Sequence, residues 1–438
     1  MAERRILRGA RILPMDGRRQ QKRGDLLIDG GLLSAIGGVA STAGALITET
    51  SHVLLPGLVQ AHVHLDQALL NRDFVPSLDP WRFQLVQLST FLAAQDEASL
   101  SAQAESAIGR GLLAGATTYG DAGLTASRPG IEAALRLGAR LVVAVDATAG
   151  APARALDALD TALARREGGL RIRFALFGGA AERTPIPALA AASRLAQERS
   201  LPLIVHSGEL PGDGGGIRRL ERAQALTRSL VLCHARSPEL ARQAKILAEC
   251  GATIVLTPAS DLLFGAPRPP LEAFVEAGVN LALGSDGGAS RIAFDPFREL
   301  RLLLRLFRGR VSSPATTALE IATRGGARAL GLNAGAVEVG RAADLVAIDV
   351  AAQDGEEHEA LAVRIIEEGG PERVRTVWVD GQVVAADGRL VSGSLPREVD
   401  ERALRRRLLA SQPAPAPLKA RARAGVRSLL GGSRRWVS

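Results

Sequence analysis

Apolar residues are not spread evenly along this chain. From residue 54 onward they gather into runs of strand length: LLPGLVQAHVHL, ATTYGDAG, ARLVVAVDAT, LRIRFALFGG, LPLIVHSGE, LVLCHA, ATIVLTPASD and VNLALGSDGG. Within these runs the apolar positions are continuous rather than alternating, the pattern of parallel strands buried on both faces. The segments between them carry helical spacing, among them 96–115, 129–138, 185–200 and 237–251. Several of these open on Ser, Asp or Pro and close on Gly, residues that start and stop helices. Strands alternating with helices in this number predict a (β/α)8 barrel. An open doubly wound sheet is the alternative, but no G-x-G-x-x-G follows the first strand.

The two ends of the chain read differently. Residues 1–53 contain RILRGARILPMDG and GDLLIDGGLLSAIG, and residues 340–395 contain GRAADLVAIDV and RVRTVWVDGQVVAADGRLV. These are short strands separated by turn residues. Neither end is a convincing domain alone. Together they predict one small β-sandwich, with the barrel of residues 54–339 inserted between its halves.

Composition narrows the function classes. At 438 residues and 47% hydrophobic, the chain is long enough for a large core and a smaller domain. The formal charge of +8 could suggest a nucleic-acid partner. However, residues 397–438 hold eleven Lys or Arg against three Asp or Glu, so that segment accounts for the whole excess. The rest of the chain is neutral, and no nucleic-acid binding is expected. The Pro/Ala/Arg-rich tail, 396–438, reads as a poorly ordered, solvated segment. Cys233 and Cys250 are the only cysteines, which is no disulfide framework and suits a reducing compartment. There is no signal-peptide h-region and no apolar stretch of membrane-spanning length. The expectation is a soluble cytoplasmic protein.

The unusual polar residues fall at the C-terminal ends of the predicted barrel strands, the face on which barrel enzymes build their sites. His62 and His64 end the first strand, Asp121 the second, His206 the fifth, His234 the sixth and Asp286 the eighth. Because a barrel closes, its first and eighth strands are neighbours. His62 and His64, two apart on a strand, share a face and can chelate a metal ion. The plainer alternative is a pair of core histidines, each satisfied by a hydrogen bond. The chain has six histidines, and four of them sit at these strand ends, which favours the metal. His52 and His358 are given no role. Neutral histidines with a carboxylate are the ligand set of a catalytic zinc or iron site with an open position. Glu209, three residues after His206, can serve as acid and base if crowding raises its pKa; otherwise it complements a helix dipole. None of the three lysines, Lys22, Lys245 and Lys419, ends a barrel strand. A bridging modified lysine is therefore absent, and one metal is expected rather than two.

PGLVQAHVHLDQ, GATTYGD, HSGE, LCHA, TPASDLLFG and GVNLALGSDGG, followed by ATRGGARALGL and GAVEVGRAADLVAID, resemble the amidohydrolase superfamily over residues 5–395. The branch is that of cytosine deaminase, guanine deaminase, thioadenosine/adenosylhomocysteine deaminase and the triazine hydrolases. The resemblance implies that His62, His64, His206 and Asp286 bind one divalent metal, zinc first and iron second. Glu209 would shuttle a proton between water and substrate, His234 would orient the nucleophile, and Asp286 would double as its base. The implied reaction is hydrolytic deamination of an aminated N-heterocycle of purine, pterin, pyrimidine or triazine type, by a homodimer or tetramer. Hydrolysis of an imidazolone-type cyclic amide, or of an N-alkyl or chloro substituent on a triazine, is the runner-up. A non-catalytic binding scaffold is the reading of another class, disfavoured because no ligand is missing.

The chain also departs from its relatives. Thr257 and Asp261 stand where relatives commonly read Cys and Asn, so substrate contacts at Asp261 would differ. Trp81 sits where nucleoside deaminases carry a Trp and would either wall the pocket or pack its loop. No acidic residue follows it in QLSTFL to take a ribose, which favours free bases over nucleosides. Gln67 is a further candidate substrate contact, or a loop brace. Asp121 would be either a support beneath the ligands or a strand-end cap.

Overall fold

The run 54–65 is not one strand but two, and it divides at Gly57. Pro56 lacks an N–H and ends a strand comfortably. A Cβ on Gly57 would stand 2.2 Å from the Thr117 side chain, so only glycine allows this crossing. On one side Val53–Pro56 joins a sheet built from the chain ends; on the other, Leu58–Val63 opens the barrel. The computed structural model describes residues 4–39, 44–70, 88–123, 127–148, 150–164, 168–287, 294–353 and 355–393. Trp81 and the basic tail lie outside the described residues.

The barrel strands are β1 (Leu58–Val63), β2 (Ala116–Asp121), β3 (Arg140–Asp146), β4 (Ile172–Ala180), β5 (Leu203–Ser207), β6 (Leu230–His234), β7 (Thr253–Leu256) and β8 (Asn280–Leu283). Each pairs in parallel with the next. Closure is made by a parallel bridge between Val63 and Asp286, where the Asp286 N–H donates to the His62 carbonyl at 3.1 Å. The interior is packed with small or β-branched residues, including Val59, Ala61, Val142, Ala144, Ala175, Val231 and Ala282. A larger apolar layer fills the space between strands and helices. Both faces of the strands are thus buried, which is why their sequences do not alternate.

The expected helices form at Glu97–Leu113, Ser127–Leu137, Ile186–Arg199 and Leu240–Glu249. Asp96 caps the first of them, accepting the Ser99 N–H at 2.8 Å. The helix Pro296–Phe307 buries Phe297, Leu300, Leu303, Leu304 and Phe307, a stripe of helical period. Truncating one such leucine to alanine costs about 2–5 kcal/mol. No helix among the described residues is long and apolar enough to cross a membrane.

The chain ends build a nine-stranded mixed sheet. Its main order runs from Arg389–Leu390 through Gln382–Ala386, Val374–Val379, Leu345–Ile348, Val53–Pro56, Arg4–Ile12 and Lys22–Asp29 to Leu32–Gly37. Ala45–Glu49 pairs with Arg4–Ile12 off that path. The sheet carries its own apolar cluster around Leu7, Ile12, Leu26, Leu54, Leu345 and Trp378. The C-terminal segment also contains a helix, His358–Glu368, that its hairpin-like reading lacks. Leu361, Ala362, Ile365 and Ile366 are buried at helical spacing, and that face decides the element.

Candidate active site

Two backbone irregularities aim the histidines. On β1 the register against β2 shifts between Gln60 and Val63, so β1 carries one extra residue. Val59 and Ala61 face the barrel interior below this bulge, and His62 and His64 take over above it. On β6, Val231 and Cys233 face the interior, and simple alternation would turn His234 outward. His234 instead adopts φ +75°, a left-handed conformation costly for a non-glycine residue, and its ring turns in. Asp286 is likewise left-handed, at φ +58°.

The result is one cluster. The ring centroids of His62 lie 4.8 Å from His64, 5.0 Å from His206 and 5.4 Å from His234. Asp286 Oδ1 stands 3.4 Å from His64 Nε2 and 3.7 Å from His62 Nε2. Gly208 (φ +65°) turns the chain back after β5, where a Cβ would meet the Ser237 N–H. That turn brings Glu209 Oε2 to 3.3 Å from His206 Nδ1 and Oε1 to 4.0 Å from His234 Nε2. The structure thus brings together His62, His64, His206, His234, Glu209 and Asp286.

Both ring nitrogens of His62 and the Nε2 atoms of His206 and His234 are buried without a hydrogen-bond partner among the described residues. Buried polar atoms are normally paired, so orphans gathered at one point mark a place for a ligand. His62, His234 and Asp286 offer donor atoms within 4.8 Å of one another, as do His206, Glu209 and His234. This donor set fits a divalent metal ion. Cys233, beside His62 and His206, completes a third such group. Sequence reading missed it because a buried cysteine on a strand looks like any small core residue.

Electrostatics favour neutral ligands among ionised acids. Burial, with the neighbouring His64 and His206, pushes His62 well below the ordinary imidazole range, and burial also lowers His64. Burial and the Arg236 guanidinium hold His234 at about 3. At Glu209, burial favours the protonated form, but His206 and His234 outweigh it and keep the carboxyl below its usual range. The expected upward shift is therefore reversed. An ionised Glu209 only accepts, so His206 Nδ1 carries the hydrogen and Nε2 presents its lone pair to the cluster. Asp286 is also held low: the three imidazoles and a 2.7 Å bond from the Ser260 hydroxyl overcome its burial.

The remaining candidates lie around this centre. Asp121 Oδ1 accepts the N–H groups of Leu65 (3.1 Å) and Gly123 (2.9 Å), tying the loop after His64 to β2. Burial and Asp66 lift its pKa to about 8. Gln67 is buried, with its side chain against Gly287, next to Asp286. Asp261 is buried and accepts from Arg236 Nε at 2.5 Å and from the Thr257 hydroxyl at 3.3 Å. Burial lifts Asp261 to about 6 against the pull of Arg236, leaving it ionised at neutral pH. Glu299, on the helix Pro296–Phe307, accepts the Ala259 N–H at 3.0 Å, and burial lifts it to about 8.

The eight-stranded barrel carries this cluster at its C-terminal mouth. Residues 53–384 match the Amidohydrolase family, and the chain belongs to that family. It is a hydrolase acting on carbon–nitrogen bonds other than peptide bonds. Two relatives are each named 5-methylthioadenosine/S-adenosylhomocysteine deaminase. The one from Pyrococcus furiosus is 26% identical over 86% of this chain and 94% of its own length. The one from Halobacterium salinarum is 36% identical over 44% of this chain, and the match spans about half of that relative's length (47%). Among solved structures, an adenosine deaminase from Xanthomonas campestris with bound zinc matches with a TM-score of 0.80 at 22% identity, over 92% of this chain and 98% of that one. The zinc-complexed atrazine chlorohydrolase of Arthrobacter aurescens matches with a TM-score of 0.79 at 24% identity, over 92% and 99%. At such identities these two matches establish the fold.

Proposed function

We propose that the protein is a mononuclear, zinc-dependent hydrolytic deaminase of an aminated N-heterocycle. The observation that carries this reading is the convergence of orphaned imidazole nitrogens with Asp286 and Glu209 at the barrel mouth. His62, His64, His206 and Asp286 hold the ion. When bound, it supplies Lewis acidity, bringing the pKa of a water towards about 7. The site's own residues manage the protons. Asp286 takes the first proton from the attacking water. Glu209, ionised by its neighbours, takes the water's second proton and carries it to the ring nitrogen, then relays the proton held by Asp286 to the leaving amine. The Thr257 hydroxyl has one hydrogen and donates it to Asp261, so His234 Nδ1 donates to Thr257 (3.3 Å) and Nε2 is left as an acceptor. That acceptor orients the attacking water. Ammonia leaves, and an oxo group replaces the amine.

The names of the two relatives put thioadenosine nucleosides first among substrates to try. The stretch Trp81–Leu92 carries no Asp or Glu to take ribose hydroxyls, which favours free purine, pterin, pyrimidine or triazine bases. The test is ammonia release by the zinc-loaded full chain from a panel of both kinds, with product mass read in parallel. Deamination with Glu209→Gln silent supports the reading. Product gaining a whole water, or losing halide or alkylamine, replaces it with ring opening or substituent hydrolysis. No turnover with zinc bound overturns it.

A further inference from the structure

Arg236 is 3% exposed, only two residues beyond His234, and its guanidinium reaches two other segments of the barrel mouth, the helix Pro258–Leu263 after β7 and the turn after β5. Nε donates to Asp261 Oδ1 at 2.5 Å. Nη1 donates to the backbone carbonyl of Glu209 at 3.0 Å. Nη2 donates to the Ser260 hydroxyl at 3.1 Å. Each contact has a directional consequence. Ser260 has one hydroxyl hydrogen and accepts from Arg236, so that hydrogen is committed to Asp286 Oδ2, 2.7 Å away. Asp261, ionised, accepts the Thr257 hydroxyl and thereby commits Thr257 to accept from His234 Nδ1. Arg236 and Asp261 therefore set the direction of both hydroxyl bonds that lean on the site. Neither residue belongs to the donor set of the metal cluster.

We propose that the buried Arg236–Asp261 pair is a positioning unit. Through Ser260 it fixes Asp286, through Thr257 it fixes the tautomer of His234, and directly it pins the turn that carries Glu209. Asp261 on this view acts through Arg236 and Thr257, both of which donate to its Oδ1. The planar fork of arginine is what lets one side chain serve three partners at once. Burying such a pair is justified here by orientation rather than by stability, since buried ion pairs are weak stabilisers.

The inference rests on the deaminase reading, and its arms separate when two quantities are measured on the full zinc-loaded chain. These are the rate of zinc release to a chelator, and kcat against KM on whichever panel substrate turns over. Outer partners of metal ligands change affinity or activity by about 10–100-fold. Ser260→Ala should speed zinc release about tenfold and lower kcat. Thr257→Val should leave zinc release unchanged and lower kcat about tenfold with KM unchanged. The neutral pair Arg236→Gln with Asp261→Asn, chosen to avoid stranding a buried charge, should show both defects. Asp261→Asn alone keeps an oxygen for the Thr257 hydroxyl but leaves the buried Arg236 guanidinium without its carboxylate, so it should lower kcat with KM unchanged. Unchanged zinc release in both Ser260→Ala and the double variant overturns the proposal. So does a rise in KM confined to Asp261→Asn, which would make Asp261 a substrate contact. If wild type is silent on the panel while Ser260→Ala and the double variant release zinc faster, the deaminase reading fails and the positioning unit stands.

Discussion

Two buried polar clusters occupy opposite ends of the barrel, and they are built on opposite rules. At the N-terminal end, Arg140 opens β3 and Arg171 directly precedes β4. Arg140 donates to both oxygens of Asp344, at 2.7 and 3.0 Å, and also to Asp380. Arg171 donates to the other Asp380 oxygen at 3.0 Å, and Asp344 also accepts the Asp380 N–H at 2.9 Å. Every charge there answers another, and the network ties the barrel to the sheet of chain ends. At the C-terminal mouth, four buried imidazole nitrogens have no hydrogen-bond partner among the described residues, and His234, Ala235 and Asp286 sit in left-handed backbone. Satisfied polarity joins two parts of the fold. Unsatisfied polarity, held there by strain, leaves room for something else to bind.

Substitutions at the two ends should separate function from stability. The largest effect is expected at the mouth: Glu209→Gln should lower kcat by about 10²–10⁴. Its zinc content and unfolding midpoint should stay near wild type, and a stability loss of similar size would erase the contrast. At the other end, Arg140→Met strands a buried carboxylate and should cost about 3–5 kcal/mol in urea unfolding. Zinc per folded chain should not change. Gly57→Ala, where the chain passes from sheet to barrel, forces a Cβ against Thr117. About 1–3 kcal/mol of stability should be lost there, again without effect on zinc.

The smallest effect concerns pH. Glu299 has a folded pKa of about 8 against an ordinary 4.5, because burial favours its protonated form. Its contribution to stability is full below about pH 4.5 and is lost as pH rises towards about 8. Above about pH 6.5, where the neutral histidines of the site no longer add the opposite slope, the melting temperature of wild type should fall, and Glu299→Gln should flatten the fall. The flattening is partial, since Asp121, also lifted to about 8, contributes in the same direction. An identical slope in the variant would show that Glu299 is ionised in the folded protein.

Much of this was legible in the sequence because it depends on local rules. Continuous apolar runs mark doubly buried strands, Asp96 marks a helix start, and histidines are conspicuous at strand ends. What stayed hidden depends on partners distant in sequence. Arg236 in LCHAR reads as an ordinary surface arginine until Asp261 and Ser260, some 25 residues on, are folded against it. The β1 bulge and the left-handed His234 are set by neighbouring strands, so no periodicity announces them. The division at Gly57 follows from Thr117, on β2. The downward shift of Glu209 follows from two imidazoles on β5 and β6, where its crowding alone argued for the reverse.

The most direct test is the metal content of the purified full chain after zinc loading and removal of excess ion, measured for wild type and for His62→Ala. One zinc per chain in wild type, with little or none in His62→Ala, is the expected result. Wild type without zinc, or His62→Ala holding as much as wild type, would contradict the assignment of the orphaned imidazoles to a metal.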